Sequence, residues 1–143
     1  MELVRLTNPF ELFASERVIR ELLEQYYSSQ YVEHNENADE AFQRGVQKCM
    51  FPDYFFYLIR NDDKFIGFLI GYLLRMPMFT VMYVEKLHAK NKGMHLAQVL
   101  VPARQALGID EFWGEVPPRV LKAYQRRLPA GSVKTITMVK IRL

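Results

Sequence analysis

The groups in this chain that could do chemistry are sorted by charge. Between Met1 and Asp63 there are 12 acidic and 6 basic residues, whereas from Lys64 onward 13 basic residues stand against 4 acidic ones. A basic half suits a phosphate-rich ligand, either nucleic acid or a phosphorylated cofactor, and an acidic half suits a cationic one. Within the basic half, Lys90-Asn91-Lys92-Gly93-Met94-His95 is a short turn leading into an apolar helical pattern that begins at Leu96. Backbone N–H groups in such a turn, backed by the partial positive charge of a helix N-terminus, bind an anion with little help from side chains. Gly93 permits close approach, and Lys90 and Lys92 add point charges. Within the acidic half, the stretch from Tyr27 to Glu36 places Tyr27, Tyr31 and Glu33 close together in sequence. Aromatic faces beside carboxylates suit an amine or ammonium group, although a polar surface loop has the same composition.

Other chemistries find little support. Cys49 is the sole cysteine, which rules out an intrachain disulfide and a multi-cysteine zinc site. His34, His88 and His95 show no H-x-x-x-H or H-E-x-x-H spacing, so no metal site is expected. No G-x-S-x-G elbow marks a nucleophilic serine.

These groups need a scaffold, and half of the 143 residues are apolar, enough for one core in a single domain. Glu2 to Leu6 reads as a first strand. Asn8, Pro9 and Glu11 then write a helix start, with a cap, a proline at the first helical position and a capping box. Leu12, Ile19, Leu22, Leu23 and Tyr26 recur at helical spacing and predict one helix reaching Tyr27. Asn37 and Glu40 open a second helix, whose apolar face runs from Ala38 to Cys49. Tyr54 to Arg60, Phe65 to Leu74 and Phe79 to Leu87 read as three consecutive strands, apolar on nearly every residue, as expected for a sheet covered on both faces. A helix ending at Gly108 comes next, with Pro102 inside it. Phe112 to Val116 is a short strand, Pro117 to Leu128 a basic helix, and Val133 to Leu143 a final alternating strand.

The resulting order, β-α-α-β-β-β-α-β-α-β, resembles that of the GNAT superfamily of acyl-CoA-dependent N-acyltransferases over essentially the whole chain. That likeness implies an α/β fold with a mostly antiparallel mixed sheet flanked by about four helices. It also implies acetyl-CoA as co-substrate, its pyrophosphate held by the turn after the third meander strand. In the family this turn carries Q/R-x-x-G-x-G/A; here the matching residues are Lys90-x-x-Gly93-x-His95, so Lys90 and His95 depart from the pattern. Leu87, Lys90, Lys92, Gly93, Met94, His95 and Leu96 are the implied cofactor-binding residues.

Transfer of an acyl group to an alkylamine needs the amine deprotonated, at a cost of about 4 kcal/mol at neutral pH. Glu85, at the end of the third meander strand, lies where the family commonly carries its base, with His88 as second choice. Tyr124, on the last helix, matches the family's proton donor to the departing thiolate. The family's flanking asparagine and Gly-Phe pair are missing around it.

The resemblance thus implies an N-acetyltransferase acting on a primary amine of a small molecule or protein, with a homodimer or larger assembly as a further expectation. A GNAT-fold piece without catalysis, for example a bacteriophage component, is the alternative. Nucleic-acid binding through the basic half, chiefly Arg119, Lys122, Arg126, Arg127, Lys134, Lys140 and Arg142, rests on charge alone. The N-terminal stretch lacks the apolar region of a signal peptide, and the longest apolar run is about ten residues, so a cytoplasmic protein without a membrane span is expected.

Overall fold

Both helix starts written in the sequence are formed. In the computed structural model, which describes residues 1–29, 36–90, 96–116, 118–136 and 141–142, the Asn8 side chain accepts a hydrogen bond from the Glu11 amide at 3.0 Å. Glu11 Oε2 in turn accepts from the Thr7 amide at 2.7 Å, one residue earlier than a standard capping box. These bonds start α1 (Pro9–Ala14). Asn37 caps α3 (Ala38–Lys48) in the same way, accepting from the Glu40 amide at 2.8 Å.

The single first helix expected from periodicity is two. The chain bends at Ser15, where φ −110° and ψ 16° leave the helical region, and α2 (Glu16–Tyr27) begins again beyond it. The bend carries Leu12 from α1 and Ile19, Leu22 and Leu23 from α2 into the same core.

Five strands form one sheet in the order β1-β2-β3-β4-β5. They are β1 (Glu2–Leu6), β2 (Tyr54–Asn61), β3 (Lys64–Arg75), β4 (Thr80–Ala89) and β5 (Glu111–Trp113). The first four pair antiparallel. After β4 the chain crosses through α4 (Leu96–Leu107) and returns as β5, parallel to β4. Gly108, at φ 63°, takes the left-handed position that ends α4. The basic helix α5 (Pro118–Arg127) comes after β5. The described parts of the segment expected as a last strand, 133–136 and 141–142, have no strand structure.

The sheet separates two cores, which explains why its strands are apolar on both faces. One face carries Phe56, Leu58, Phe68 and Ile70 against α1, α2 and Phe42 of α3. The other carries Tyr57, Ile59, Leu69 and Met82 against Val99 and Ala103 of α4. Among the described residues no helix is long and apolar enough to cross a membrane.

Strand β4 departs from regular pairing on both of its sides. It pairs with β5 only from Val81 to Tyr83, leaving Val84 to Ala89 with no strand on that side among the described residues. Its pairing with β3 also slips by one residue: Gly71 faces Val84, Ile70 faces Lys86, and Glu85 is the extra residue of a β-bulge. A bulge pulls one strand toward the other. Here the carbonyl oxygen of Tyr83 lies where a Cβ on Gly71 would sit. Gly71→Ala is therefore expected to lower stability by about 2 kcal/mol or more, because the backbone must shift. Gln125→Ala, on the exposed side of α5, should change it by less than about 0.5 kcal/mol; equal urea-unfolding midpoints for the two variants would refute a tight approach at the bulge.

Candidate active site

A strand normally sends consecutive side chains to opposite faces. At the bulge that rule is suspended. Val84 packs in the α4-side core, whereas Lys86 is opposite Ile70 on the face covered by α1 to α3. Glu85 reaches toward Arg44 of α3, so both of its charged neighbours on this face are cations.

Four charged side chains meet here, and Glu36 is the hub. Its Oε1 accepts a hydrogen bond from Tyr27 Oη at 2.7 Å and pairs with Arg44 Nη2 at 2.5 Å and Lys86 Nζ at 2.9 Å. Glu85 Oε2 lies 3.6 Å from Arg44 Nη2 and 3.7 Å from Lys86 Nζ. Two carboxylates and two cations make the cluster formally neutral, as burial requires. Lys86 is 8 % exposed. Glu85 Oε2, although buried, has no hydrogen-bond partner among the described residues, so its lone pairs are unspent.

Phenols surround this cluster. Burial, then the hydrogen bond to Glu36, pushes the Tyr27 hydroxyl far above the ordinary phenol range. Tyr26 is raised by burial and further by Glu36, Tyr124 and Glu85, which brings those three groups within electrostatic reach of one hydroxyl. Burial alone raises Tyr124, which keeps its phenol protonated at neutral pH. For Glu36 burial acts upward, yet the bonds from Lys86 and Tyr27 and the charges of Lys86 and Arg44 outweigh it and hold the carboxyl below its usual range.

His88 lies further along β4 on the same face, between the Tyr26 and Phe68 rings. Burial, assisted by Lys90, lowers its pKa, so the ring is neutral at physiological pH. Its buried Nε2 has no partner among the described residues.

The other residues singled out from sequence occupy a range of positions. Leu87 is partly buried against the α4-side core, opposite Leu69. Lys90 donates its amide to Ile66 O at 2.7 Å and pairs through Nζ with Glu21 of α2 at 2.9 Å. That pair is exposed and therefore weak, so the ammonium is readily exchanged to another anion. Leu96 is the first residue of α4. Lys92, Gly93, Met94, His95, Tyr31 and Glu33 lie outside the described residues. Tyr27, by contrast, lines a shallow open depression of about 550 Å³ with Glu24, Ser28, Glu36, Asn37 and Ala38.

Sequence reasoning missed Arg44, Lys86 and Tyr26, and it named Glu36 only as the end of a linking segment. The available signal was in β3, where a glycine inside an apolar strand marks a bulge or a close backbone approach. Gly71 stands opposite the slip.

Comparison with known proteins fits this architecture. No protein-family model matches the chain, and no curated protein matches it. Solved structures do. The aminoglycoside N-acetyltransferase AAC(6')-Iy in complex with CoA aligns with a TM-score of 0.67 at 13% identity, covering 99% of this chain and 95% of that chain. A ribosomal-protein-alanine N-acetyltransferase from Brucella melitensis biovar Abortus 2308 gives 0.64 at 16% identity, covering 99% of both chains. An aminoglycoside acetyltransferase from an uncultured soil metagenomic sample, in complex with sisomicin, gives 0.63 at 12% identity, covering 99% of this chain and 95% of that one. Identities this low establish likeness of fold, and the fold is that of the GNAT acetyltransferases.

The charge cluster makes a definite stability prediction. Glu36→Gln removes one member of a partly buried ion network and should cost about 1–2 kcal/mol at neutral pH. Because the folded carboxyl is held below its ordinary value of 4.5, its contribution is present above that value and is lost as pH falls through the lowered folded value. Urea unfolding of both proteins along a pH series should show their difference shrinking in acid; a constant difference would mean that Glu36 is not held as a carboxylate.

Proposed function

We propose that this chain is an acetyl-CoA-dependent N-acetyltransferase that acts on a primary amine, working as a single domain over residues 1–143. The observation that carries the proposal is the juxtaposition of a carboxylate with a spare buried oxygen, Glu85, and the stretch of β4 from Val84 to Ala89 beside it, which has no strand on one side among the described residues. A strand edge offers N–H and C=O groups in an extended row, to which the amides of a pantetheine arm can add as a further strand would. Leu87 lies on that edge. Lys90 and the turn through Lys92, Gly93, Met94 and His95 to Leu96 are assigned to the pyrophosphate, with backbone N–H groups and the start of α4 as its partners.

The residues have separate tasks. Acetyl-CoA supplies an activated thioester carbonyl when bound. Glu85 takes a proton from the acceptor ammonium, directly or through one water, so that the neutral nitrogen can attack the carbonyl carbon. Tyr124 gives its hydroxyl proton to the sulfur as the carbon–sulfur bond breaks, which suits a phenol whose burial keeps it protonated. As the carbon–sulfur bond breaks the nitrogen gives up its second proton, which restores the phenol directly or through water, and the proton taken by Glu85 passes to solvent. Tyr27, Tyr31 and Glu33 are assigned to the acceptor.

A second reading, a GNAT-fold protein without catalysis, draws support from one observation. Glu85 stands between Arg44 and Lys86, so its oxygen serves a structural ion network as well as facing any incoming ammonium. Turnover decides between the two. With acetyl-CoA and a panel of primary amines, thiol release should be seen, and Glu85→Gln should lower kcat by about 10²-fold or more. Tyr124→Phe should lower kcat with little change in the acetyl-CoA concentration needed for half-saturation. If saturating acetyl-CoA gives neither a rise in melting temperature nor thiol release with any amine, the catalytic reading fails and the second one stands.

A further inference from the structure

The α1-to-α3 face of the sheet does not end in aliphatic residues. Tyr54 on β2 is opposite Tyr72 on β3, Tyr72 is opposite Tyr83 on β4, and Tyr83 is opposite Trp113 on β5. One row across four strands is thus aromatic throughout. Tyr54 is buried, but Tyr72, Tyr83 and Trp113 are only half-buried. Tyr72 and Tyr83 stack, with centroids 5.2 Å apart and planes 25° from parallel.

Carboxylates lie along this row. Tyr83 Oη donates to Glu115 Oε1 at 3.3 Å, and Trp113 Nε1 donates to Glu111 Oε2 at 2.8 Å. Glu85 is two residues beyond Tyr83 on the same strand, roughly 7 Å at about 3.3 Å per residue. Besides burial, Glu85 and Glu115 are the groups that raise the Tyr72 hydroxyl, and both also act on Tyr83. The two stacked phenols therefore lie in the field of both carboxylates.

The two ends of the row differ in charge balance. At the bulge, Arg44 and Lys86 compensate Glu36 and Glu85. At the β5 end no cation pairs with Glu111 or Glu115 among the described residues, and both are exposed. Half-exposed aromatic faces beside uncompensated carboxylates form a seat for a cation, which gains from the ring quadrupoles and from the negative charge together.

We propose that Tyr72, Tyr83 and Glu115 form a subsite for a second ammonium group of the acceptor, and that the acceptor is accordingly a small di- or polyamine. Its reacting nitrogen is presented to Glu85 while its second cation sits over the stacked phenols and faces Glu115. The proposal rests on the acetyltransferase reading and deepens it by naming a substrate class and the residues that select it.

Spermidine and n-butylamine separate the possibilities, because both carry a primary amine and only spermidine carries further cations. Binding to the full chain is measured by calorimetry without acetyl-CoA, and turnover by thiol release with it. Spermidine is expected to bind at least about tenfold more tightly and to show a correspondingly lower KM. Glu115→Gln should raise the spermidine KM about fivefold while leaving kcat and the n-butylamine KM unchanged. Tyr83→Leu should do the same, and the exposed Glu115 variant keeps the test intact if Tyr83→Leu fails to fold.

Equal affinity for the two amines, or indifference of spermidine to Glu115→Gln, overturns the subsite even if both amines are acetylated. Conversely, preferential spermidine binding that Glu115→Gln abolishes, without any thiol release, keeps the subsite and removes the reaction.

Discussion

Two adjacent charged residues in the middle of a strand buried on both faces pose a problem that regular pleating cannot solve. With ordinary alternation, one of Glu85 and Lys86 would point into the α4-side core among Leu69, Met82 and Val99, where no partner awaits it. The cost of an unpaired buried charge is several kcal/mol at least. One extra residue in β4 removes that cost, because the bulge turns both side chains to the face where Arg44 and Glu36 already stand. Gly71 makes the bulge feasible, since only a residue without Cβ leaves space for the Tyr83 carbonyl. The arrangement of the candidate site thus stems from one local slip in strand pairing.

Stability alone does not explain why the cluster exists. Replacing a buried ion network by apolar residues of similar volume is often neutral or favourable, whereas deleting one member is costly. What Glu36, Arg44, Glu85 and Lys86 do in the described structure is tie separate elements together. Glu36 joins three separate parts of the protein through one oxygen: Tyr27 at the end of α2, Arg44 in α3 and Lys86 in β4. The end of α2 and the approach to α3 are consequently anchored beside the bulge.

The parts of this fold that could be read from sequence were those written in local signals. Asn8 and Asn37 announced their helices because a capping side chain and the amide it serves are only three residues apart. Asn61 to Lys64 announced the hairpin, and Asp62 does take the left-handed conformation there, with φ 53°. The break at Ser15 had no such mark, since Phe13-Ala14-Ser15 contains neither glycine nor proline and the apolar spacing carries straight across it. The bulge was hidden for a different reason. The adjacent charges Glu85 and Lys86 are the fault it leaves in the pattern, but they read equally well as the solvated end of a strand, and the glycines of β3 mark only close backbone approach. The charge cluster was illegible in principle, because its members are brought together by pairings between residues 36, 44, 85 and 86 that no local rule connects. Of the strand expected over Val133 to Leu143, the described residues 133–136 and 141–142 have no strand structure; period-two patterning shows that a strand could be amphipathic, not that a ladder receives it.

The bulge also bears on how β4 parts from β5. Bulges increase local twist, and a parallel partner can track a strand only while their twists agree. β5 pairs with β4 for the three residues before the slip, Val81 to Tyr83, and with none after it. Added twist at Glu85 is consistent both with the direction of the carboxylate and with the end of β5 pairing at Tyr83 among the described residues. These two elements of the proposed chemistry, a base and a place to lay an extended acyl donor, would then share one cause. A sheet of regular register would lose them together, since restoring the pleat would bury Glu85 and Lys86 on opposite faces and allow β5 to run on alongside β4. That coupling makes the slip opposite Gly71 more informative about this protein than any single motif in its sequence.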